Sequence, residues 1–335
     1  MKRREWRAAS LLLTVLLMLL AAGCGSNKGD GLIKLRVGEV TRSLFYAPQY
    51  AALSQGFFEE EGLKIDLQPT YGGDKTMTAL LSGSIDIGLV GSETSIYVYQ
   101  QGTDDPVINF AQVTQTDGTF LVAREPQEEF DWEDLLGSVF LGQRKGGMPQ
   151  MAGEFVLKKH GINPAADLQM IQNVDFANIP AAFASGTGEY VQLFEPQASI
   201  FEQEGTGHVI ASFGVESGSL PYTVYMARES FIAKNKDAVE KFTRALYRAQ
   251  QWVESQPADV VADAVLPYFE DADREIVIRV LERYKEQRSY AADPVIDEAE
   301  WNNLLDVMES AGELASRTPH AAIVDNSFAE RAKEQ

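Results

Sequence analysis

Two stretches of this chain, about a hundred residues apart, follow the same pattern: Ala79-Leu80-Leu81-Ser82-Gly83-Ser84-Ile85-Asp86 and Ala182-Phe183-Ala184-Ser185-Gly186-Thr187-Gly188-Glu189. Each passes from small and apolar residues through Ser-Gly to an acid, and each precedes a β candidate, Ile87 to Val90 and Tyr190 to Phe194. Those strands end in Ser92-Glu93 and Glu195-Pro196 at similar offsets. One recurrence at this distance suits paired domains on a common plan, not a solenoid of short repeats. A chain of 335 residues is long enough for each of two domains to bury its own core.

Strands and helices alternate around this echo. Leu32 to Val40 alternates apolar and polar residues and reads as a strand, after which Pro48 opens a helix that Gly56 closes. Leu63 to Leu67 is the next strand, Asp74 is placed to cap a helix through Met77 and Leu80, and Ser92 is placed to cap another. Val107 to Val113 and Thr119 to Ala123 are further strands. The series argues for an α/β fold with parallel sheets covered on both faces. From Glu125 to Glu133 the composition turns acidic, which predicts a crossing between domains. Val139 to Gly142 then leads into Gly146-Gly147-Met148-Pro149, a second strand-loop-helix start that Gly161 would stop. Late strands are expected at Val209 to Phe213 and Tyr222 to Ala227. Helices follow from Val239 through Trp252, at Ala258 to Tyr268, Arg274 to Gln287 and Asp297 to Leu314.

The N-terminus is a different kind of segment. Lys2, Arg3, Arg4 and Arg7 precede an apolar run from Leu11 to Ala22, about a dozen residues, too short for the roughly 20 of a spanning helix and typical of a secretory signal. Leu20-Ala21-Ala22-Gly23-Cys24 resembles the bacterial lipobox, although Ala21 stands where the motif usually has Leu. The resemblance implies a signal peptide over 1–23, lipidation of Cys24 and a flexible tether over 24–31.

Composition narrows the function. Lys plus Arg number 29 against 49 Asp plus Glu, a formal charge of −20 whose field repels a phosphate backbone, so nucleic acid is not an expected partner. Cys24 is the only cysteine, which rules out an internal disulfide and a Cys-based zinc site. His160, His208 and His320 lack metal-ligand spacing, and Gly186 to Gly188 and Gly205 to Gly207 do not match a nucleotide fingerprint. With neither a nucleophile elbow nor a distinguished acid pair, the expectation is a protein that is not an enzyme and needs no cofactor.

Tyr46-Ala47-Pro48-Gln49-Tyr50-Ala51-Ala52, Gly56-Phe57-Phe58-Glu59-Glu60-Glu61-Gly62-Leu63 and Leu81-Ser82-Gly83-Ser84-Ile85-Asp86-Ile87-Gly88 together resemble solute-binding proteins of ABC importers. The similar branch is the one named for nitrate, sulfonate or taurine, and thiamine-pyrimidine precursors. Gly146 to Pro149, Phe194-Glu195-Pro196 and Ser217 to Tyr222 agree with it. The resemblance implies a type II periplasmic-binding-protein fold with two hinge-crossing strands. Lobe one is then 32–124 and 223–335, and lobe two 125–222. It also implies a monomeric extracytoplasmic protein that is anchored to the cell membrane through Cys24, captures a small molecule and presents it to permease subunits. A eukaryotic relative of the fold is a pyrimidine synthase with a Cys-rich motif, to which this chain has no counterpart. A ligand-sensing module is the third reading.

Ligands of open α/β sheets sit beyond the carboxyl ends of the strands, where helices begin. That rule selects Thr41, Arg42, Ser43, Phe45 and Tyr46 after the first strand, Ser92, Glu93 and Thr94 after the third, and Gly146, Gly147 and Met148 before the Pro-started helix. It also selects Glu195 after the echo strand. Tyr71 and Tyr222 join Phe45 and Tyr46 as flat surfaces with polar edges. Glu93 and Glu195 would repel nitrate or a sulfonate and accept hydrogen bonds from amino groups, which favours an aminopyrimidine-like or cationic ligand. Arg42 and Lys145 favour an anion instead, and exposed acids would suit a basic face of the permease.

Overall fold

The computed structural model describes residues 31–269 and 272–334. The signal segment and Cys24 lie outside the described residues. Among the described residues no helix is long and apolar enough to cross a membrane.

From Ile33 onward the chain builds two five-stranded sheets. The first contains β1 (Ile33–Glu39), β2 (Leu63–Pro69), β3 (Ile87–Gly91), β4 (Val107–Thr114) and β10 (Thr223–Arg228), in the order β2-β1-β3-β10-β4. The second contains β5 (Thr119–Ala123), β6 (Val139–Leu141), β7 (Gln169–Ile171), β8 (Tyr190–Phe194) and β9 (His208–Ser212), in the order β7-β6-β8-β5-β9. Both therefore run second, first, third, crossing strand, fourth, and the echoed segments lead into β3 and β8, the central strand of each sheet.

The sheets are mixed, which corrects the expectation of parallel ones. β1 pairs in parallel with β2 and β3, but β10 is antiparallel to both β3 and β4. In the second sheet β5 is likewise antiparallel to β8 and β9. The cause is topological: each sheet takes one strand from a chain arriving from the other sheet, and that strand enters the opposite way round. The change of sheet falls over residues 115–118, so the acidic stretch from Glu125 comes after β5 has already joined the second sheet. The return falls over residues 218–222. The two passages are hydrogen bonded together, Leu220 N–H to the Gln115 carbonyl at 2.9 Å, and Gln115 N–H donates to the Ser289 carbonyl at 2.8 Å.

Local chemistry explains the elements that reach the junction of the two sheets. β1 alternates, with Leu35 and Val37 buried and Lys34 and Arg36 outward, whereas Ile87 to Val90 of β3 are all buried, as a central strand covered on both faces requires. Helix α1 (Ala47–Ser54) has Pro48 in its first turn and is followed by Gly56 at φ 73°. Helix α2 (Gly73–Ser82) is entered from Gly72; Asp74 lies within its first turn and is not the cap expected. Helix α3 (Glu93–Gln100) follows Ser92, whose backbone is already helical and whose side chain makes no cap. Its hydroxyl instead donates to the Pro221 carbonyl, tying β3 to the returning passage. Helix α4 (Met148–Lys159) starts at Gly147 with Pro149 in its first turn and ends before Gly161 at φ 78°.

The second sheet adds α5 (Ile179–Ala184) and α6 (Gln197–Glu204), and the C-terminal third is helical. Helix α7 (Lys236–Ser255) buries Val239, Phe242, Leu246, Ala249 and Val253 along one stripe and packs on α1. Helix α8 (Ala258–Val265) pairs with α9 (Arg274–Glu286), capped by Asp273, and α10 (Glu298–Ser310) is capped by Asp297. Both α9 and α10 reach the passages between the sheets, and α10 also meets α4. Tyr284 of α9 donates to the Gly118 carbonyl at 3.1 Å, Asn303 of α10 to the Ser219 carbonyl at 2.7 Å, and Lys158 of α4 to the Ser310 carbonyl at 2.5 Å. One apolar cluster accordingly contains residues of both sheets, and a smaller one under β5 and β6 holds Leu121, Phe140, Val156 and Phe213.

Candidate functional site

The carboxyl ends of β1 and β3 and the start of α4 converge where the two sheets meet. Phe45 is the hub. Its ring centroid lies 6.0 Å from Tyr46, 5.6 Å edge-on from Tyr222, 6.1 Å from Phe194 at the end of β8 and 5.1 Å from Tyr284. Gly118 in the outgoing passage makes this approach possible, because a Cβ there would stand 2.8 Å from the Phe45 ring. Phe45, Tyr46 and Tyr222 are all buried.

Glu93, the first residue of α3, folds its carboxylate back over Gly91 and is 5% exposed. Oε2 has no hydrogen-bond partner among the described residues. Burial pushes this carboxyl up to about 7, and its own amide and that of Met148 oppose the shift only in part. Its negative charge is felt by Tyr46, Tyr97 and Tyr222, whose hydroxyls burial already raises. Met148 belongs to the second sheet's half and Glu93 to the first, so this carboxyl sits on the seam. Tyr97 reinforces the seam by directing its hydroxyl at Met151 Sδ, 3.7 Å away.

The other expected residues divide. Ser92 donates to Pro221 and is consumed structurally. Thr94 donates to the Gly91 carbonyl at 2.7 Å, and Ser43 accepts from Phe45 N–H at 3.2 Å. Thr41 is half-buried; Arg42 is 3.4 Å from Glu39 Oε1 and lies over the Tyr50 ring. Tyr71 is 70% exposed with φ 61°, outside the aromatic hub. Gly146 at φ 85° and Gly147 are solvent-facing or half-buried at the α4 start, and Gly146 N–H donates to Gln150 Oε1 at 3.0 Å. Arg144 beside them faces Asp74 of the first half at 3.9 Å, and Lys145 is exposed. Glu195 is buried but fully engaged, accepting from Ser199 N–H and Oγ at 2.9 Å each and from Arg283 Nη1 at 2.6 Å. Arg283 also reaches Glu202 at 2.6 Å. That carboxylate has its cation already, and the cation comes from α9.

Three residues went unnoticed in the sequence. Glu39, at the end of β1, is wholly buried; it accepts from Tyr50 Oη at 2.6 Å and Gln49 Nε2 at 2.7 Å, and burial raises its carboxyl. Its position at a strand's carboxyl end, just before Thr41, was the available signal. Asp117 lies in the outgoing passage; Oδ1 accepts from Thr119 N–H at 2.7 Å and from the Thr119 hydroxyl. Burial pushes its carboxyl up to about 6, and the Tyr222 hydroxyl faces it. Arg283 carries no motif, only a place on a long amphipathic helix. A cavity of about 350 Å³ by Phe120, Val209 to Ser212 and Arg283, and one of about 570 Å³ by Phe57 and Trp252, are lined by none of Phe45, Tyr46, Glu93 or Tyr222. Among the described residues no group of three or more His, Cys, Asp or Glu is placed to hold a metal ion.

Residues 33–265 match the model of the NMT1-like family. This chain belongs to that family. It is 58% identical over 318 residues, 95% of either chain, to a Bacillus subtilis (strain 168) protein named as a binding protein, YtlA. It is 22% identical over 297 residues to the formylaminopyrimidine-binding protein of Halalkalibacterium halodurans, covering 84% of this chain and 86% of that one. Among solved structures, the alkanesulfonate-binding protein SsuA from Xanthomonas axonopodis pv. citri superposes with a TM-score of 0.68 at 18% identity, over 88% of this chain and 98% of that one. The fold is thus the two-lobed periplasmic-binding-protein fold expected from the sequence.

Proposed function

We propose that this NMT1-like chain is the extracytoplasmic substrate-binding lipoprotein of an ABC importer, which closes on a small pyrimidine-like ligand and hands it unchanged to permease subunits. The observation that carries this reading is the convergence of Phe45, Tyr46, Tyr222 and Glu93 where the two sheets meet. The aromatic rings offer faces and edges for a flat ligand, and the carboxyl offers an acceptor for its amino group. The lobes part and close about the paired passages at 115–118 and 218–222. An anionic ligand is less well served, since Arg42 is held by Glu39 and Lys145 stands in solvent.

Thermal unfolding with aminopyrimidines, alkanesulfonates and nitrate tests the ligand class. A compound at about 100 times its Kd adds roughly 2.7 kcal/mol. Stabilisation by aminopyrimidines is the expected result, and stabilisation by sulfonates alone refutes the class. Time-dependent consumption of the pyrimidine would make the chain an enzyme instead. For the anchor, Cys24→Ser should move the protein from the membrane fraction to the soluble one; unchanged fractionation removes the lipid.

A further inference from the structure

Three buried polar atoms in the crevice lack hydrogen-bond partners among the described residues: Glu93 Oε2, Asp117 Oδ2 and the Tyr222 hydroxyl. They come from three separate segments. Glu93 opens α3, Asp117 sits in the outgoing passage and Tyr222 in the return, and all three residues are no more than 5% exposed. Tyr222 links them, since its hydroxyl feels the charges of both Asp117 and Glu93. Burying a polar atom without a partner costs stability, and a carboxylate oxygen costs most. Three of the nine such side-chain atoms among the described residues fall here, on two carboxyls and one hydroxyl able to donate or accept.

We infer that Asp117 and Glu93 form a paired-carboxylate recognition site, bridged by Tyr222, for a cationic ligand rich in N–H donors, and that Asp117 couples ligand recognition to the hinge. This deepens the proposed function and rests on the crevice being the binding site. The ligand class follows from the donor set. Two carboxylates flanking one hydroxyl repel an anion, satisfy a neutral acceptor poorly and fit an ammonium or amidinium carrying several N–H groups. Asp117 is the specificity residue of the pair. Its Oδ1 is fixed by Thr119 at the start of β5, so Oδ2 holds a set direction, and any pull on it acts on the passage about which the two halves move.

The site is linked to protons. Facing Glu93 are Tyr46, Tyr97, Tyr222 and the Met148 amide; facing Asp117 are Thr119, Tyr222 and Tyr284. Beyond Tyr46 lies the Glu39–Arg42 pair. Both acids hold protons more tightly than free carboxyls do, so a cation must displace those protons to bind.

Titration calorimetry on the mature chain decides the matter, with an aminomethyl-substituted 4-aminopyrimidine as cationic probe, its hydroxymethyl counterpart as neutral probe and ethanesulfonate as anion. The cationic probe should bind tightest, release protons on binding and gain affinity from pH 5 to pH 8. Asp117→Asn and Glu93→Gln should each weaken it by on the order of tenfold or more, the loss of one charge-assisted hydrogen bond. Glu216→Gln, outside the crevice, should leave it unchanged. Should Asp117→Asn fail to fold, Glu93→Gln and the buffer dependence of the heat still decide. Pyrimidine binding that is independent of pH and of both substitutions overturns the paired site while leaving the proposed function standing. Binding of ethanesulfonate alone overturns both.

Discussion

Set side by side, the two halves share a strand order, and each ends its central strand in a buried acid, yet the acids are treated in opposite ways. Glu195, after β8, is met by Ser199 from the next turn of chain and by Arg283 from α9, so each of its oxygens is satisfied. Glu93, after β3, is equally buried but has an open oxygen, and burial pushes its carboxyl up against only the Met148 amide and its own. Where the duplicated plan holds a structural ion pair on one side, it leaves an unmet carboxyl on the other. The second half's acid fastens α9 to the second half of the molecule, whereas the first half's acid keeps one oxygen without a hydrogen-bond partner among the described residues.

The sharpest way to break that contrast is to remove the cation. Arg283→Met should strand Glu195 with only its Ser199 contacts and release Glu202, at a cost of about 2 to 4 kcal/mol in stability. Denaturant unfolding at neutral pH measures it. A loss below about 1 kcal/mol would show that Ser199 suffices and that the two acids differ less than their partners suggest.

Glu93 should respond in the reverse direction. Its folded carboxyl, held at about 7, lies above the ordinary value, so the folded state binds the proton more tightly than the unfolded chain does. Stability from this group is fully present below the unfolded value and is lost as pH rises towards 7; Asp117, at about 6, acts with the same sign over a lower range. Glu93→Gln should therefore stabilise the ligand-free protein at pH 8 by on the order of 2 kcal/mol, with little effect at pH 4. Melting temperatures across that range check it, and a Glu93→Gln protein no more stable than wild type at pH 8 would mean that closure leaves this carboxyl hydrated.

Much of the fold was legible because it rests on local signals. The alternation of β1, Pro at the first turns of α1 and α4, and Gly56 and Gly161 past helix ends all lie where the pattern puts them. The echo before β3 and β8 was visible because both segments must make the same helix-to-strand turn, with Gly83 at φ 76° and Gly186 at φ 104°. What was not legible depends on partners distant in sequence. Ser92 reads as a cap but is drawn to Pro221, 129 residues away, and Glu195 reads as a ligand acceptor until Arg283, 88 residues on, is placed beside it. The antiparallel entry of β5 and β10 is equally non-local, and strand composition carries no record of direction.

The glycine pairs offer the finest test of the comparison. Gly72-Gly73 leads into α2 in one half and Gly146-Gly147 into α4 in the other, and within the second pair the two positions differ. Gly146 has φ 85°, where an L side chain is strained, so Gly146→Ala should lose about 1 to 2 kcal/mol. Gly147 has φ −109°, and a Cβ there would meet only Pro149 Cδ at 3.7 Å and the Arg144 carbonyl at 3.8 Å, ordinary contacts. Gly147→Ala should leave the melting temperature within the scatter of a neutral substitution, about 0.5 kcal/mol. If the main chain before α4 touches the guest, the same substitution weakens ligand binding all the same, because the added methyl occupies the approach. Unaltered affinity in a fully stable Gly147→Ala protein would place the guest against the Glu93 side of the seam and away from the α4 start.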